Sequence, residues 1–137
     1  IAVGRNEARA RIAGELAGRR FGTLIHPFAW VAPSARIAPG CMVFAGCVVQ
    51  SGAVLAAHCI VNTGATVSHD CRIGEASHVA VGAHLAGNVT LGSGVLFGAG
   101  AVARPGATVG NGATVGAGAT VIHDVPAGAT VVGCPAR

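Results

Sequence analysis

Leu85–Val121 reads LAGNVTLGSGVLFGAGAVARPGATVGNGATVGAGATV, and its spacing decides the fold. A large apolar residue returns every six positions: Leu85, Leu91, Phe97, then Val109, Val115 and Val121, with only Ala103 small. Stepping back from Leu85 extends the series to Ile25 without a slip, through Val79, Ile73, Val67, Val61, Leu55, Val49, Val43, Ile37 and Val31. Four residues beyond each stands a small residue or Val: Cys41, Cys47, Ala53, Cys59, Ala65, Cys71, Ser77 and on to Val125. Three beyond, Gly fills ten of the hexads, from Gly40 to Gly118.

A period of six is neither the 3.6 of a helix nor the 2 of a plain strand. It fits a short strand and a turn, repeated. One apolar side chain per hexad points inward, and one small residue sits where space is tight. Gly in the third slot supplies the positive φ of a sharp turn. His58, Asp70, Asn88 and Asp124 take that slot in other hexads, and Asn and Asp tolerate the left-handed region best. Three hexads close one triangular coil of eighteen residues, so the expected class is an all-β solenoid with three parallel sheets. At about 4.8 Å per coil the prism is about 27 Å tall.

Mean hydropathy of +0.63 invites a membrane reading. Glycines in strict hexad phase, with His84, Asn88, Thr90 and Ser93 among them, exclude a spanning helix. The chain of 137 residues has no Lys, and five of its nine Arg (Arg5, Arg9, Arg11, Arg19, Arg20) lie in the first twenty residues. Beyond them four Arg face three acids, too little for a nucleic-acid face. Cys41, Cys47, Cys59 and Cys71 occupy the small inward slot and read as buried hydrophobes, while Cys134 lies outside the repeat. No CxxC pair is present, and unpaired thiols suit a cytoplasmic setting.

Before the repeat, the apolar run Ile1–Gly4 reads as a strand and 6–20 as a helix, with Ala8, Ile12 and Leu16 on one face and Asn6 as its cap. After it, Pro126 and Pro135 are expected to break the sheet. The expected layout is therefore 1–22 as the closing strand-helix piece of an α/β domain, 23–125 as solenoid, and 126–137 as a cap.

Six histidines are candidates for chemistry. His69–Asp70 falls on a turn and faces outward, since Val67 and Cys71 point in; a neighbouring carboxylate can fix the ring tautomer and raise its basicity. On spacing alone, Asp70 equally well just fills a left-handed turn slot beside a surface histidine. His123–Asp124, 54 residues on, shares the same hexad phase three coils later and serves as a control that spacing cannot separate. His78 and His84 each precede an inward aliphatic, His58 takes a turn slot, and His26 lies at the solenoid entrance.

The hexad pattern resembles the left-handed parallel β-helix of the hexapeptide-repeat acyltransferases, over about four fifths of the chain. IAVGRNEARARI at 1–12, the stretch NTGATVSHDCRIGEASHVAVGAHLAGNV at 62–89 and the closing GCPAR at 133–137 are similar to the sugar acetyltransferases of the PglD and NeuD type. That resemblance implies the left hand of the coil and a homotrimer with each site between two prisms. It implies acetyl-CoA-dependent acetylation of the amino group of a nucleotide-activated amino sugar by direct transfer, with no metal. His69 becomes the general base, with Asp70 where the family carries Glu. Gly87 becomes a candidate oxyanion donor, and His78, Ala99 and Ala117 line the donor groove; Gly4 matches a glycine of the nucleotide-sugar domain. Ile1–Gly22 then reads as the remnant of that Rossmann-like domain. The other readings are O-acetylation of sialic acid or another sugar hydroxyl, and a non-catalytic trimeric scaffold. The β-helical carbonic anhydrases share the repeat, but no histidine lies 36 residues beyond another, as their zinc ligands require.

Overall fold

The computed structural model describes residues 1–137. A helix, α1 (Asn6–Glu15), is followed by eighteen two-residue strands. They are β1 (Leu24–Ile25), β2 (Trp30–Val31), β3 (Arg36–Ile37), β4 (Met42–Val43), β5 (Val48–Val49), β6 (Val54–Leu55), β7 (Ile60–Val61), β8 (Thr66–Val67), β9 (Arg72–Ile73), β10 (His78–Val79), β11 (His84–Leu85), β12 (Thr90–Leu91), β13 (Leu96–Phe97), β14 (Val102–Ala103), β15 (Thr108–Val109), β16 (Thr114–Val115), β17 (Thr120–Val121) and β18 (Thr130–Val131). Every third strand pairs in parallel, giving sheets of seven, six and five strands. The register is eighteen residues throughout this run: His78 pairs with Ile60 and Leu96, His84 with Thr66 and Val102, Thr90 with Arg72 and Thr108.

The second residue of each strand points inward. Val43, Val49 and their equivalents through Val121 form one core of 28 buried residues together with the small-slot residues. The first coil has neighbours on one side only, so Ile25 remains 48% exposed and Val31 and Ile37 half-buried. All ten turn glycines adopt positive φ, and so do His58, Asp70, Ala76 and Asn88.

The inward cysteines do more than fill space. Cys41, Cys47, Cys59 and Cys71 each donate their thiol to the carbonyl fifteen residues on, at 3.0–3.1 Å, and the Ser77 hydroxyl does the same to Gly92 at 2.7 Å. Those carbonyls open the turn of the next coil and face the interior, where an unpaired acceptor is costly. Burial pushes the Cys47 and Cys71 thiols up, away from reactive thiolate character. Cys134 is exposed.

The structure departs from the sequence expectation at both ends. Past Val121 the period slips: Val125 bridges Val109 and Thr130 pairs with Thr114, both offsets of sixteen. The turn after β17 is thus two residues short. It puts Val125 in the large inward position rather than the small one, and Asp124 does not take the left-handed slot. The ladder also continues beyond Pro126, because β18 adds a seventh strand to the first sheet. At the start, Ile1–Gly4 has no partner strand and forms none. The helix ends at Glu15 rather than 20, and the chain turns away through Gly18 at φ +87°. Arg5, not Asn6, holds the N-cap position, without a side-chain cap. Asn6 is the first helical residue and reaches the solenoid instead, donating to the Gly94 carbonyl at 3.0 Å.

Ser77 is fully buried, and its hydroxyl both donates to Gly92 and accepts from the Val95 amide at 3.0 Å. Ser77→Ala strands both groups and is expected to cost about 1–3 kcal/mol in urea unfolding. Ser77→Cys, which restores a donor in the manner of Cys59, should recover part of the loss.

Candidate functional site

His69 and Asp70 form the turn between β8 and β9, at the corner where the second and third sheets meet. Backbone bonds hold this turn between its neighbours: Asp70 N–H donates to Ser51 at 3.0 Å, and Asn88 N–H donates to His69 at 2.9 Å. Asp70 sits at φ +59°. Its Oδ2 lies 3.0 Å from His69 Nδ1, so the shorter acid reaches the ring. A carboxylate at that distance accepts a hydrogen bond from Nδ1–H and leaves the Nε2 lone pair as the basic site. Both side chains are more than half exposed.

Glycines on the two adjacent coils make room for this pair. A Cβ on Gly52 would stand 2.3 Å from Asp70 Oδ1, and a Cβ on Gly87 would stand 2.4 Å from His69 Nε2. Gly87 is thus pressed against the basic nitrogen, and its N–H has no acceptor within the chain. Gly52 was not singled out by sequence; the signal was its place eighteen residues before Asp70.

The control pair behaves differently. Asp124 Oδ1 accepts the Thr108 N–H at 2.9 Å, because the short turn after β17 drops the carboxylate onto the coil below. His123 stays exposed without that partner. Equal hexad phase therefore does not give an equal turn, and only His69 carries an oriented carboxylate.

His78 lies on β10, in the first sheet, half-buried under the N-terminal segment. Asn62 Oδ1 accepts from Thr63 N–H at 2.8 Å, which turns Asn62 Nδ2 toward His78 Nε2 at 3.1 Å. Nε2 must then accept, and Nδ1–H donates to the Gly4 carbonyl at 3.3 Å. The ring is a neutral Nδ1–H tautomer, and desolvation holds its pKa below the usual histidine value. Gly4 and His78, expected on substrate and donor sides respectively, are in direct contact.

Ala99 and Ala117 are exposed and stacked one coil apart, at the corner between the first and second sheets; Gly118 N–H donates to Ala99 at 2.8 Å. They are not on the His69 corner. One chain therefore carries His69 and the expected donor groove on opposite edges of its second sheet. His84 stands in the middle of that sheet, exposed, with Nδ1 2.9 Å from Thr66 Oγ1. His26 Nδ1 accepts from Phe28 N–H. His58 is buried edge-on to Phe21, ring centroids 4.7 Å apart. No three His, Cys, Asp or Glu side chains gather as metal ligands would. No helix is long and apolar enough to cross a membrane.

Residues 88–123 match the family model described as bacterial transferase hexapeptide (six repeats). No curated protein matches the sequence significantly. Among solved structures, the acetyltransferase domain of PglB from Neisseria gonorrhoeae is 48% identical, with a TM-score of 0.98, over 99% of this chain and 67% of that one. The same domain in complex with acetyl coenzyme A superposes with a TM-score of 0.97. A histidine-to-alanine variant of GDP-perosamine N-acetyltransferase from Caulobacter crescentus, in complex with CoA and GDP-perosamine, is 37% identical. Its TM-score is 0.96, over 99% of this chain and 66% of that one.

Burial and the nearby Arg9 cation both favour neutral His78 and outweigh its bond to the Gly4 carbonyl, so its folded pKa is depressed from 6.5. Above about pH 6.5 both folded and unfolded rings are neutral and no penalty arises. As pH falls through that value the unfolded chain binds the proton first, and stability drops. Titration of His78 by NMR should give a midpoint below 6.5, and His78→Gln should flatten the fall of Tm between about pH 7 and 5.

Proposed function

The chain belongs to the hexapeptide-repeat acetyltransferases, and we propose that it moves the acetyl group of acetyl-CoA to the amino group of a nucleotide-linked deoxyamino sugar. The observation that carries the reading is the His69–Asp70 pair, with Nδ1 engaged and Nε2 open beside Gly87. Likeness to an acetyl-CoA-bound domain and to a GDP-perosamine N-acetyltransferase supports the substrate class.

In this mechanism the neutral sugar amine attacks the thioester carbonyl carbon. His69 Nε2 removes the proton from the nitrogen as the C–N bond forms. Asp70 stabilises the imidazolium that results. The Gly87 N–H, beside Nε2 and without an acceptor in the chain, then donates to the oxyanion of the tetrahedral intermediate. Its collapse breaks the C–S bond, and His69 returns the proton to the CoA thiolate. The products are the amide and free CoA. Ala99 and Ala117 offer the donor a surface with no side chain beyond Cβ, and His78 stands on β10, the strand that runs into the same corner one coil earlier.

The active assembly in this reading is a trimer, with acetyl-CoA and the nucleotide sugar bound where two copies meet. The outward positions of the second sheet are Trp30, Val48, Thr66, His84, Val102 and Thr120, and none is permanently charged. The third sheet presents Arg36 and Arg72 at the equivalent positions. The second sheet is flanked by the His69 corner on one side and the Ala99–Ala117 corner on the other. A head-to-tail ring around this face brings the base of one copy against the groove of the next. The piece 1–22 then joins a nucleotide-sugar domain to the solenoid.

Three experiments test this. With acetyl-CoA and a panel of nucleotide amino sugars, His69→Ala should lower kcat about 10²–10⁴-fold with Tm unchanged, read as free thiol. Equal rates in wild type and variant would exclude His69 as the base. Gly87→Ala keeps an allowed backbone but places its methyl on Nε2, so it should abolish transfer without unfolding the coil. Val102→Asp, which puts a charge on the second sheet, should abolish both the trimer in analytical ultracentrifugation and activity.

A further inference from the structure

Arg9 is a charged side chain with no solvent exposure and no carboxylate partner. Its guanidinium is satisfied wholly by neutral oxygens. Nε donates to the His58 carbonyl at 2.8 Å, and Nη2 to the Ala76 carbonyl at 2.6 Å and to Asn6 Oδ1 at 2.8 Å. Nη1 donates to the carbonyls of Val3 at 2.7 Å and Gly4 at 3.1 Å. His58 and Ala76 occupy the same left-handed turn slot on successive coils, at φ +61° and +53°. Gly94 fills the slot on the next coil, and its carbonyl is the one Asn6 takes. Arg9 and Asn6 thus read three consecutive carbonyls of one corner, eighteen residues apart.

The Gly4 carbonyl has a second donor, His78 Nδ1–H. It is the point where the N-terminal segment meets a ring of the first sheet. Together with Asn62 Nδ2 on Nε2, that carbonyl keeps the proton on Nδ1 and sets the plane in which the ring lies. Arg9 Nη1 holds the same carbonyl. A lysine cannot do this, because one ammonium does not span oxygens held by three separate segments.

We propose that Arg9 is a positioning residue: it pins the Gly4 carbonyl against the solenoid and so holds His78 in a single tautomer and orientation at the transfer site. The consequence for catalysis rests on the acetyltransferase reading, with His78 on the donor side. The hold on the ring does not. The same contacts index everything N-terminal to the helix against the coils, so the segment that the nucleotide sugar would approach and the donor-side ring move as one unit.

The test uses the full-length chain with Arg9→Lys and Arg9→Ala. Ring ¹⁵N shifts of His78 should report the Nδ1–H tautomer in the wild type and a mixture in both variants, while cooperative unfolding of the solenoid persists. KM for acetyl-CoA should rise about tenfold, the effect of one lost charge-assisted hydrogen bond, with kcat changed less. An unchanged His78 tautomer in the variants overturns the proposal, and so does failure of both variants to fold, which would make Arg9 structural only. A wild type that acetylates no nucleotide amino sugar removes the functional reading instead, and the ¹⁵N shifts still judge whether Arg9 holds the ring.

Discussion

The eighteen-residue register of the parallel ladder is the constraint on which the rest of the structure depends. Each residue lies over the residue one coil away, so identical positions stack into columns. A column tolerates what its neighbours leave room for. A Cβ on Gly74 would stand 2.4 Å from the Gly92 carbonyl carbon, and one on Gly98 would stand 2.5 Å from the Val115 carbonyl oxygen. The interior obeys the same rule: large apolar residues fill the strand columns and small ones the turn columns, into a single core. When the turn after β17 loses two residues, the columns shift and the ladder ends within one further strand of the first sheet.

The His69–Asp70 pair is a consequence of column chemistry. Two polar side chains can lie side by side on one turn because the coils below and above carry Gly52 and Gly87 at the contact points. The three residues expected to take part in proton and oxyanion chemistry share one corner for that reason. At the other end of the prism Asp124 is spent on the Thr108 amide, since the short turn brings that amide within reach. The same dipeptide has two fates, set by the length of the turn that carries it.

Polar satisfaction explains residues that hydrophobic periodicity treats as filler. Coiling leaves some carbonyls facing inward at the start of turns and others facing outward at left-handed slots. Thiols and the Ser77 hydroxyl receive the first kind. Arg9 and Asn6 receive the second at one corner, and this attaches the helix to the solenoid. Neutral oxygens surround the buried Arg9 cation, and burial lowers its pKa from the usual arginine value. Such an arrangement is tolerable because every donor direction is filled.

The amino-acid sequence by itself determined the three-sided solenoid, its inward columns, the left-handed turns and the turn on which His69 and Asp70 sit. A strict six-residue period admits one strand and one turn per repeat, and that is local information. Tertiary structure alone decided the rest. Whether Asp70 and Asp124 orient their histidines depended on residues eighteen and sixteen positions away, which period cannot rank. Arg9 looked like one cation of a basic helix, yet it is the most deeply held side chain of the N-terminal segment, because its partners on the solenoid come from two coils far along the chain. His69 and the expected donor groove fall on different edges of one sheet, since a triangular coil must send successive turns to different corners.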